Sequence, residues 1–221
     1  MNVLLTYGPV AVPLDAVRVI TNRSTGVTGD FLAHSFMNQG HEISTLRARC
    51  CPKIPFSSIH DVEFEIFDEF RSRLKSLLEE NDFDAVIHLA AVSDYSVEHV
   101  DCEGSIVKSE SLEKAKIDSS ASPVIYLKSN EKLLPKIKNW SRNPESVVVG
   151  FKYTYDEDTS KIPGILSDGS VDFVVHNWQT GIQYDQHEFK IYGSGKDLVG
   201  NGKNKLDMAE ELIRLLKWDD A

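Results

Sequence analysis

Along the first ninety residues, short apolar runs alternate with stretches of helical period. Val3 to Thr6 predicts a buried strand. Asp30 to Gln39 carries Phe31, Leu32, Ser35 and Phe36 at helical spacing, and Gly40 follows as a helix-ending glycine. His41 to Arg47 alternates and predicts a second strand, and Val62 to Phe67 predicts a third. Asp68 to Glu80 repeats Phe70, Leu74, Leu77 and Leu78 at helical spacing, with Asp68 as the expected N-cap. Asp84 to Ala91 predicts a central strand, apolar from Ala85 onward apart from His88. Strands separated by helices imply βαβ units. The expected fold is α/β: a doubly wound, mostly parallel, Rossmann-like sheet.

Beyond Tyr95 this rhythm stops. Ser96 to Ser122 is polar, contains Lys108, Lys114 and Lys116, and has little periodicity. A stretch of that length without elements of its own reads as an arm or lid, here residues 96–122 protruding from one domain over 1–221. Strands are then expected at Val124 to Lys128, Ser146 to Tyr153, Val171 to Val175 (ended by His176 and Asn177) and Phe189 to Gly193. Helices are expected at Glu131 to Trp140 and Met208 to Lys217. Tyr7 to Asp15 reads as a loop, Asp15 to Ile20 as one helical turn, and Ala48 to His60 as a loop with two prolines.

Composition narrows the function classes. With 221 residues, 41% apolar and 26% charged, the chain fits a globular protein with a sizeable core. No run of eighteen apolar residues occurs and no signal-peptide pattern opens the chain, so membrane spans and export are not expected. Cys50, Cys51 and Cys102 lack metal-site spacing and read as reduced thiols of a cytoplasmic protein. A net charge of -10 argues against broad nucleic-acid or anionic-membrane binding.

Two stretches carry candidate chemistry. Arg18 to Gly29 is a loop that enters a helix. Ser24, Thr25 and Thr28 offer hydroxyls there, and Gly26 and Gly29 allow close backbone approach. The unpaired N–H groups of such a helix start favour a phosphate. The alternative is a capped helix with turn glycines and no ligand. Ala90 to Tyr95 ends the central strand, where open α/β sheets bind ligands. Asp94 there accepts hydrogen bonds from a ribose or amine, or else merely caps a helix. A Gly-x-Gly-x-x-Gly fingerprint is missing, since Gly8 stands alone, which argues against an NAD(P)-binding Rossmann protein.

Together these stretches resemble the phosphopantothenate–cysteine ligase family, most of all its stand-alone bacterial form. The shared motifs are Asp15-x-Val17-Arg18-x-Ile20-Thr21-Asn22-x-Ser24-Thr25-Gly26-x-x-Gly29, Ala91-Val92-Ser93-Asp94-Tyr95, Lys116-Ile117-x-Ser119-Ser120 and Gly150-Phe151-Lys152. The similarity runs from Val3 to about Asn177. It implies that 4′-phosphopantothenate is activated by a nucleoside triphosphate, CTP or else ATP, and then joined to cysteine. It implies Mg²⁺ with the triphosphate, no metal-ligating residue of the chain, and a homodimer in which the arm reaches the partner. Catalytic roles fall on Asn22, Lys116 and Arg18. Nucleotide contacts fall on Ser24, Gly26, His88, Leu89, Ala90, Asp94, Glu131, Lys132, Leu133, Leu134 and Phe151. The chain departs from the family where two triphosphate-holding lysines are usual, having Ile165 and Gly169 instead, and at His176-Asn177-Trp178 in place of Ala-Asn-Asp. A non-catalytic nucleotide-binding relative is therefore the alternative.

Overall fold

The computed structural model describes residues 1–53, 60–182 and 186–216. Part of the loop expected over Ala48 to His60, and Lys217 at the end of the last expected helix, lie outside them. In chain order the elements are β1 (Asn2–Tyr7), β2 (Ala11–Pro13), β3 (Val19–Thr21), α1 (Val27–Asn38), β4 (Glu42–Ala48), β5 (His60–Phe64), α2 (Phe67–Glu80) and β6 (Ala85–His88). There follow β7 (Tyr95–Cys102), β8 (Ser105–Lys108), α3 (Ser109–Leu112), β9 (Val124–Ser129), a 3₁₀ turn (Leu134–Lys136) and α4 (Ile137–Trp140). The chain closes with β10 (Val147–Thr154), α5 (Ile162–Ile165), β11 (Phe173–Ile182), β12 (His187–Gly193), β13 (Leu198–Gly202) and α6 (Lys205–Leu216).

Eight strands form the main sheet in the order β13-β12-β11-β10-β6-β1-β4-β5. From β11 to β5 the pairings are parallel, and β12 and β13 are antiparallel additions. Helices α1 and α6 pack together, as do α2 and α4. The doubly wound, mostly parallel fold is the one expected. From β1 the chain goes through α1 to β4 on one side, and β6 then pairs on the other. The order of strands reverses at β1, and at such a reversal their carboxyl ends diverge to leave a crevice.

The strands of the sheet centre are apolar because both faces are covered. Val3, Leu4, Leu5, Val86, Ile87, Val148 and Val149 are completely or nearly completely buried. Helix α2 adds Phe70, Leu74 and Leu78 to the same core, each fully buried, for about 1.5–3 kcal/mol apiece. Helix α1 approaches β1 closely because Gly29 has no side chain. A Cβ there would lie 2.3 Å from Cβ and Cγ of Tyr7.

Several sequence expectations are corrected. The arm is not a loop: β7, β8 and β9 form a separate three-stranded antiparallel sheet in the order β8-β7-β9. Asp15 to Ile20 is not a helical turn, because Asp15 closes a tight turn and β3 leaves it to pair with β2. Helix α1 starts at Val27, three residues before the expected Asp30. Ile66 holds the N-cap position of α2, so Asp68 lies inside its first turn. The helix expected over Glu131 to Trp140 shrinks to the 3₁₀ turn and one turn of α4. Strand β11 continues through His176 and Asn177 to Ile182, and β13 was not expected.

Gly29→Ala is expected to lower stability by about 1–3 kcal/mol, the usual cost of forcing a methyl group into a packed contact. Urea unfolding checks it.

Candidate functional site

Beyond the sheet, β1 and β6 stay joined. Ala91 N–H donates to Gly8 O at 2.9 Å, and Val10 N–H donates to Ala91 O at 3.2 Å. Leu89 N–H donates to Thr6 O at 2.8 Å. After Gly8 and Pro9 the chain enters the β2–β3 hairpin, not a helix. The helix start directly after the first strand, which a dinucleotide-binding fold uses for pyrophosphate, is therefore not built here.

Asn22 follows β3 and lies on this seam. Its Nδ2 donates to Ala91 O at 3.1 Å and to Val92 O at 3.4 Å. The two amide donors are thereby engaged, and Oδ1 is left as an acceptor. Ser24 turns back through its N–H to Asn22 O at 2.9 Å. Gly26 takes the N-cap position of α1 with φ 74°, and no side chain caps the helix. The first N–H groups of α1 thus lack helical and side-chain partners, which leaves them suited to an anion. A Cβ on Gly26 would lie 2.2 Å from Sγ of Cys51, so a side chain is excluded there by packing as well as by φ.

On the other side of the seam, Asp94 is exposed and forms an ion pair with Lys132. Asn130 fixes this turn. Its N–H donates to Asp94 O at 2.9 Å, its Nδ2 donates to Ser93 O at 3.0 Å, and its Oδ1 accepts from Ser96 Oγ at 2.7 Å. Asn130 opens the segment that the resemblance assigns to reading the base, without a role of its own. The turn around Ser93 that it completes is set by contacts 34 to 37 residues away in sequence. Glu131 pairs with Lys136 and with Arg71, and these hold its carboxyl below the ordinary range. Leu133 is buried, and Leu134 lies over Gly150, where a Cβ would meet it at 2.8 Å. Leu89, Ala90 and Phe151 are partly buried against the core.

His88 ends β6 and is 6% exposed. Its Nδ1 shares a hydrogen bond with Thr6 Oγ1 at 2.8 Å, and its ring lies 5.8 Å from that of Phe70. Burial alone pushes its pKa down to about 4.

Arg18 and Asn22 are not on one helical turn. They flank the extended β3, so their Cα atoms are separated by about 13 Å at the rise of a strand. Arg18 bonds Asp15 through Nε at 2.9 Å and Nη2 at 2.6 Å, and Nη2 also donates to Ile117 O at 2.6 Å. Arg18 therefore comes close to Lys116 in the chain of the arm. Lys116 itself is exposed. Where the resemblance leads one to look for triphosphate lysines, Ile165 ends the short α5, half-buried, and Gly169 sits in a turn with φ 72°. His176, fully buried, bonds Thr154 Oγ1 at 2.7 Å, and burial keeps its pKa low. Among the described residues no group of three His, Cys, Asp or Glu is placed to hold a metal ion. No helix among them is long and apolar enough to cross a membrane.

The family model for the DNA/pantothenate metabolism flavoprotein C-terminal domain matches residues 1–218. The coenzyme A biosynthesis bifunctional protein CoaBC of Thermococcus kodakarensis is 26% identical over 223 residues, covering 99% of this chain. The chain spans only about half the length of that curated relative. The DNA/pantothenate metabolism flavoprotein from Streptococcus pneumoniae has a similar structure, with a TM-score of 0.83, 26% identity and 98% of each chain covered. A Cab2 variant in complex with phosphopantothenate-cysteine superposes with a TM-score of 0.73 at 18% identity, over 99% of this chain and 87% of that one. That last likeness concerns the fold alone.

His88 should make stability fall in mild acid. Its folded pKa lies below the ordinary 6.5, so its contribution is complete above about pH 6.5 and is lost as pH falls toward 4. The slope approaches about 1.4 kcal/mol per pH unit for one proton. Denaturation midpoints at pH 7, 6 and 5 check this, with His88→Gln giving the flatter profile.

Proposed function

Because the chain belongs to the family of the DNA/pantothenate metabolism flavoprotein C-terminal domain, we propose that it is a phosphopantothenate–cysteine ligase of coenzyme A biosynthesis. The observation that carries this reading is Asn22, held by Ala91 and Val92 at the point where the strand order reverses, beside the uncapped start of α1. The Thermococcus relative is a coenzyme A biosynthesis bifunctional protein and the Cab2 variant holds phosphopantothenate-cysteine, which supports the same pathway and ligand chemistry.

In this reading a carboxylate oxygen of 4′-phosphopantothenate attacks the α-phosphate of a nucleoside triphosphate, and pyrophosphate leaves. The preferred nucleotide is CTP, with ATP as the rival. The cysteine amine then attacks the acyl carbon, the nucleoside monophosphate leaves, and the amine loses a proton. Lys116 balances charge on the α-phosphate in the first step. In the second, Asn22 Oδ1 accepts a hydrogen bond from the incoming amine, and its Nδ2 turns from the longer Val92 contact toward the acyl oxygen. The start of α1, with Ser24 and Gly26, receives phosphate oxygens. His88, Leu89, Ala90, Asp94, the 131–134 segment and Phe151 surround the nucleoside. Mg²⁺ would accompany the triphosphate, bound chiefly by phosphate oxygens and water. Among the described residues no cluster of His, Cys, Asp or Glu would hold it directly. No step uses a flavin. Three free thiols, Cys50 among them exposed, support a cytoplasmic location.

We place the chain in a homodimer formed through the arm. Strand β9 is an edge strand with all six residues exposed, including Val124, Ile125, Tyr126 and Leu127. An apolar exposed edge is a template for another chain unless it is covered. Replacing Ile125 and Leu127 by Lys should give monomers by light scattering at micromolar concentration. It should also reduce turnover if the arm serves the partner's site.

A second reading, a nucleotide-binding relative without ligase activity, draws support from Ile165 and Gly169 in place of lysines. One experiment decides between the two: pyrophosphate release with CTP, ATP, GTP or UTP in the presence of phosphopantothenate and cysteine. The variants refine it. Lys116→Gln should slow formation of the acyl-nucleotide by about 10²–10³-fold. Asn22→Asp should form it once and stall. Single turnover without cysteine, followed by mass spectrometry, distinguishes these outcomes, and normal turnover by both variants would remove the proposed site.

A further inference from the structure

Between the end of α3 and the start of β9 the arm has no strand or helix, and Lys116 lies in that stretch. Its position is set from outside. Ala16 N–H donates to Ala115 O at 2.8 Å. Ile117 N–H donates to Asp15 Oδ2 at 3.1 Å, and Ile117 O accepts from Arg18 Nη2 at 2.6 Å. The Ile117 side chain is buried with Val12, Val97, Val100 and Leu112. Both chain neighbours of Lys116 are thus fixed to the β2–β3 turn, while Lys116 faces solvent.

Asp15 is the centre of this arrangement. Its side chain has no exposed surface. Oδ1 accepts from Val17 N–H at 2.9 Å and Arg18 N–H at 2.8 Å. Oδ2 accepts from Arg18 Nε at 2.9 Å, Arg18 Nη2 at 2.6 Å and Ile117 N–H at 3.1 Å. A carboxylate accepts at both oxygens and has no donor, so it suits a ring made only of donors, and an amide, which turns an N–H toward one side, does not. Arg18 supplies the counter-charge and, through Nη2, spans from Asp15 to the arm. The same bonds keep the Asp15 carboxyl far below the ordinary range, Arg18 first among them.

We propose that Asp15 is a positioning residue for catalysis: with Arg18 it clamps the Ala115–Ile117 backbone and so fixes where the Lys116 ammonium stands. The proposal rests on the role given above to Lys116, and it assigns Arg18 to the clamp. A charge-balancing lysine acts only where it is aimed, and a displacement of about 1 Å at such a group can cost about 10²-fold in rate. A long, freely rotating side chain on an unanchored loop would have to be ordered in every turnover.

Asp15→Asn tests this. The amide turns donors toward the N–H of Ile117 and the Arg18 guanidinium, so the clamp should open while the body keeps its fold. Amide hydrogen exchange should accelerate at least about tenfold at Ile117, with Val86 in β6 unchanged as the internal control. The kcat for pyrophosphate release should fall about 10²-fold, with KM for the nucleotide changed by no more than about threefold. Combining Asp15→Asn with Lys116→Gln should be no slower than Lys116→Gln alone, because both changes remove one effect. A merely structural role would leave the two losses additive. Should Asp15→Asn fail to fold, Arg18→Lys keeps the charge but loses the bridge to Ile117 O, and the same comparison with Lys116→Gln applies. Unchanged exchange at Ile117, or additive losses in the double variant, would overturn the proposal. Unmutated protein that releases no pyrophosphate with any nucleotide would overturn the ligase reading and the catalytic half of this one. The exchange rates would still report whether the clamp exists.

Discussion

The carbonyl oxygen of Ala91 accepts two donors, Val10 N–H and Asn22 Nδ2, and the arrangement of the site follows from it. It lies where β1 and β6 have left the shelter of the sheet and their backbone groups need new partners. On one edge of that seam Ala91 N–H donates to Gly8 O, and Ala91 O accepts from Val10 N–H. On the other, the returning hairpin brings Asn22 down on the same oxygen. One carbonyl therefore joins the central strand, the first loop and the hairpin that leads to α1. Without it, the start of α1 and the Ser93–Asp94 turn would have no common reference.

The body of the fold was legible because its elements bury one clear face. Phe70, Leu74 and Leu78 recur at helical spacing on α2, and the β6 run is apolar because both sides of it are covered. The arm was illegible for a physical reason. In β7 the buried residues Val97 and Val100 are three apart, because the pairing with β9 shifts register between Val97 and His99. A bulge inserts one residue and destroys the alternation that identifies a strand. Strand β9 was expected as a strand, but all its residues are exposed, so no buried face in its pattern tied it to β7. The extension of β11 was hidden by polar residues that are buried and paired, His176 with Thr154 and Asn177 with His187.

Within the candidate site, the visibility of a residue depended on how local its partners are. The Gly26–Gly29 helix entry and the end of β6 could be read from neighbours in sequence, as could the crevice that an α/β sheet opens between them. Asp15 could not. Its turn with Val17 and Arg18 is a local signal, an Asp accepting from the backbone two and three residues on. Its bond to Ile117 crosses 102 residues and leaves no trace in spacing. Asn130 is a similar case.

Strand β3 then acquires a mechanical meaning. It has three residues, pairs with β2 throughout, and has the Asp15–Arg18 clamp at one end and Asn22 at the other. A paired strand transmits position along its length better than a loop, because each residue is held by the ladder as well as by its neighbours. The hairpin therefore sets Asn22 against the seam and the Lys116 segment against the same frame. The two proposed chemical steps use two groups held at opposite ends of β3, Asn22 at the seam and Lys116 beside the clamp. A short rigid ladder between them is the arrangement that fixes both without placing either on the other.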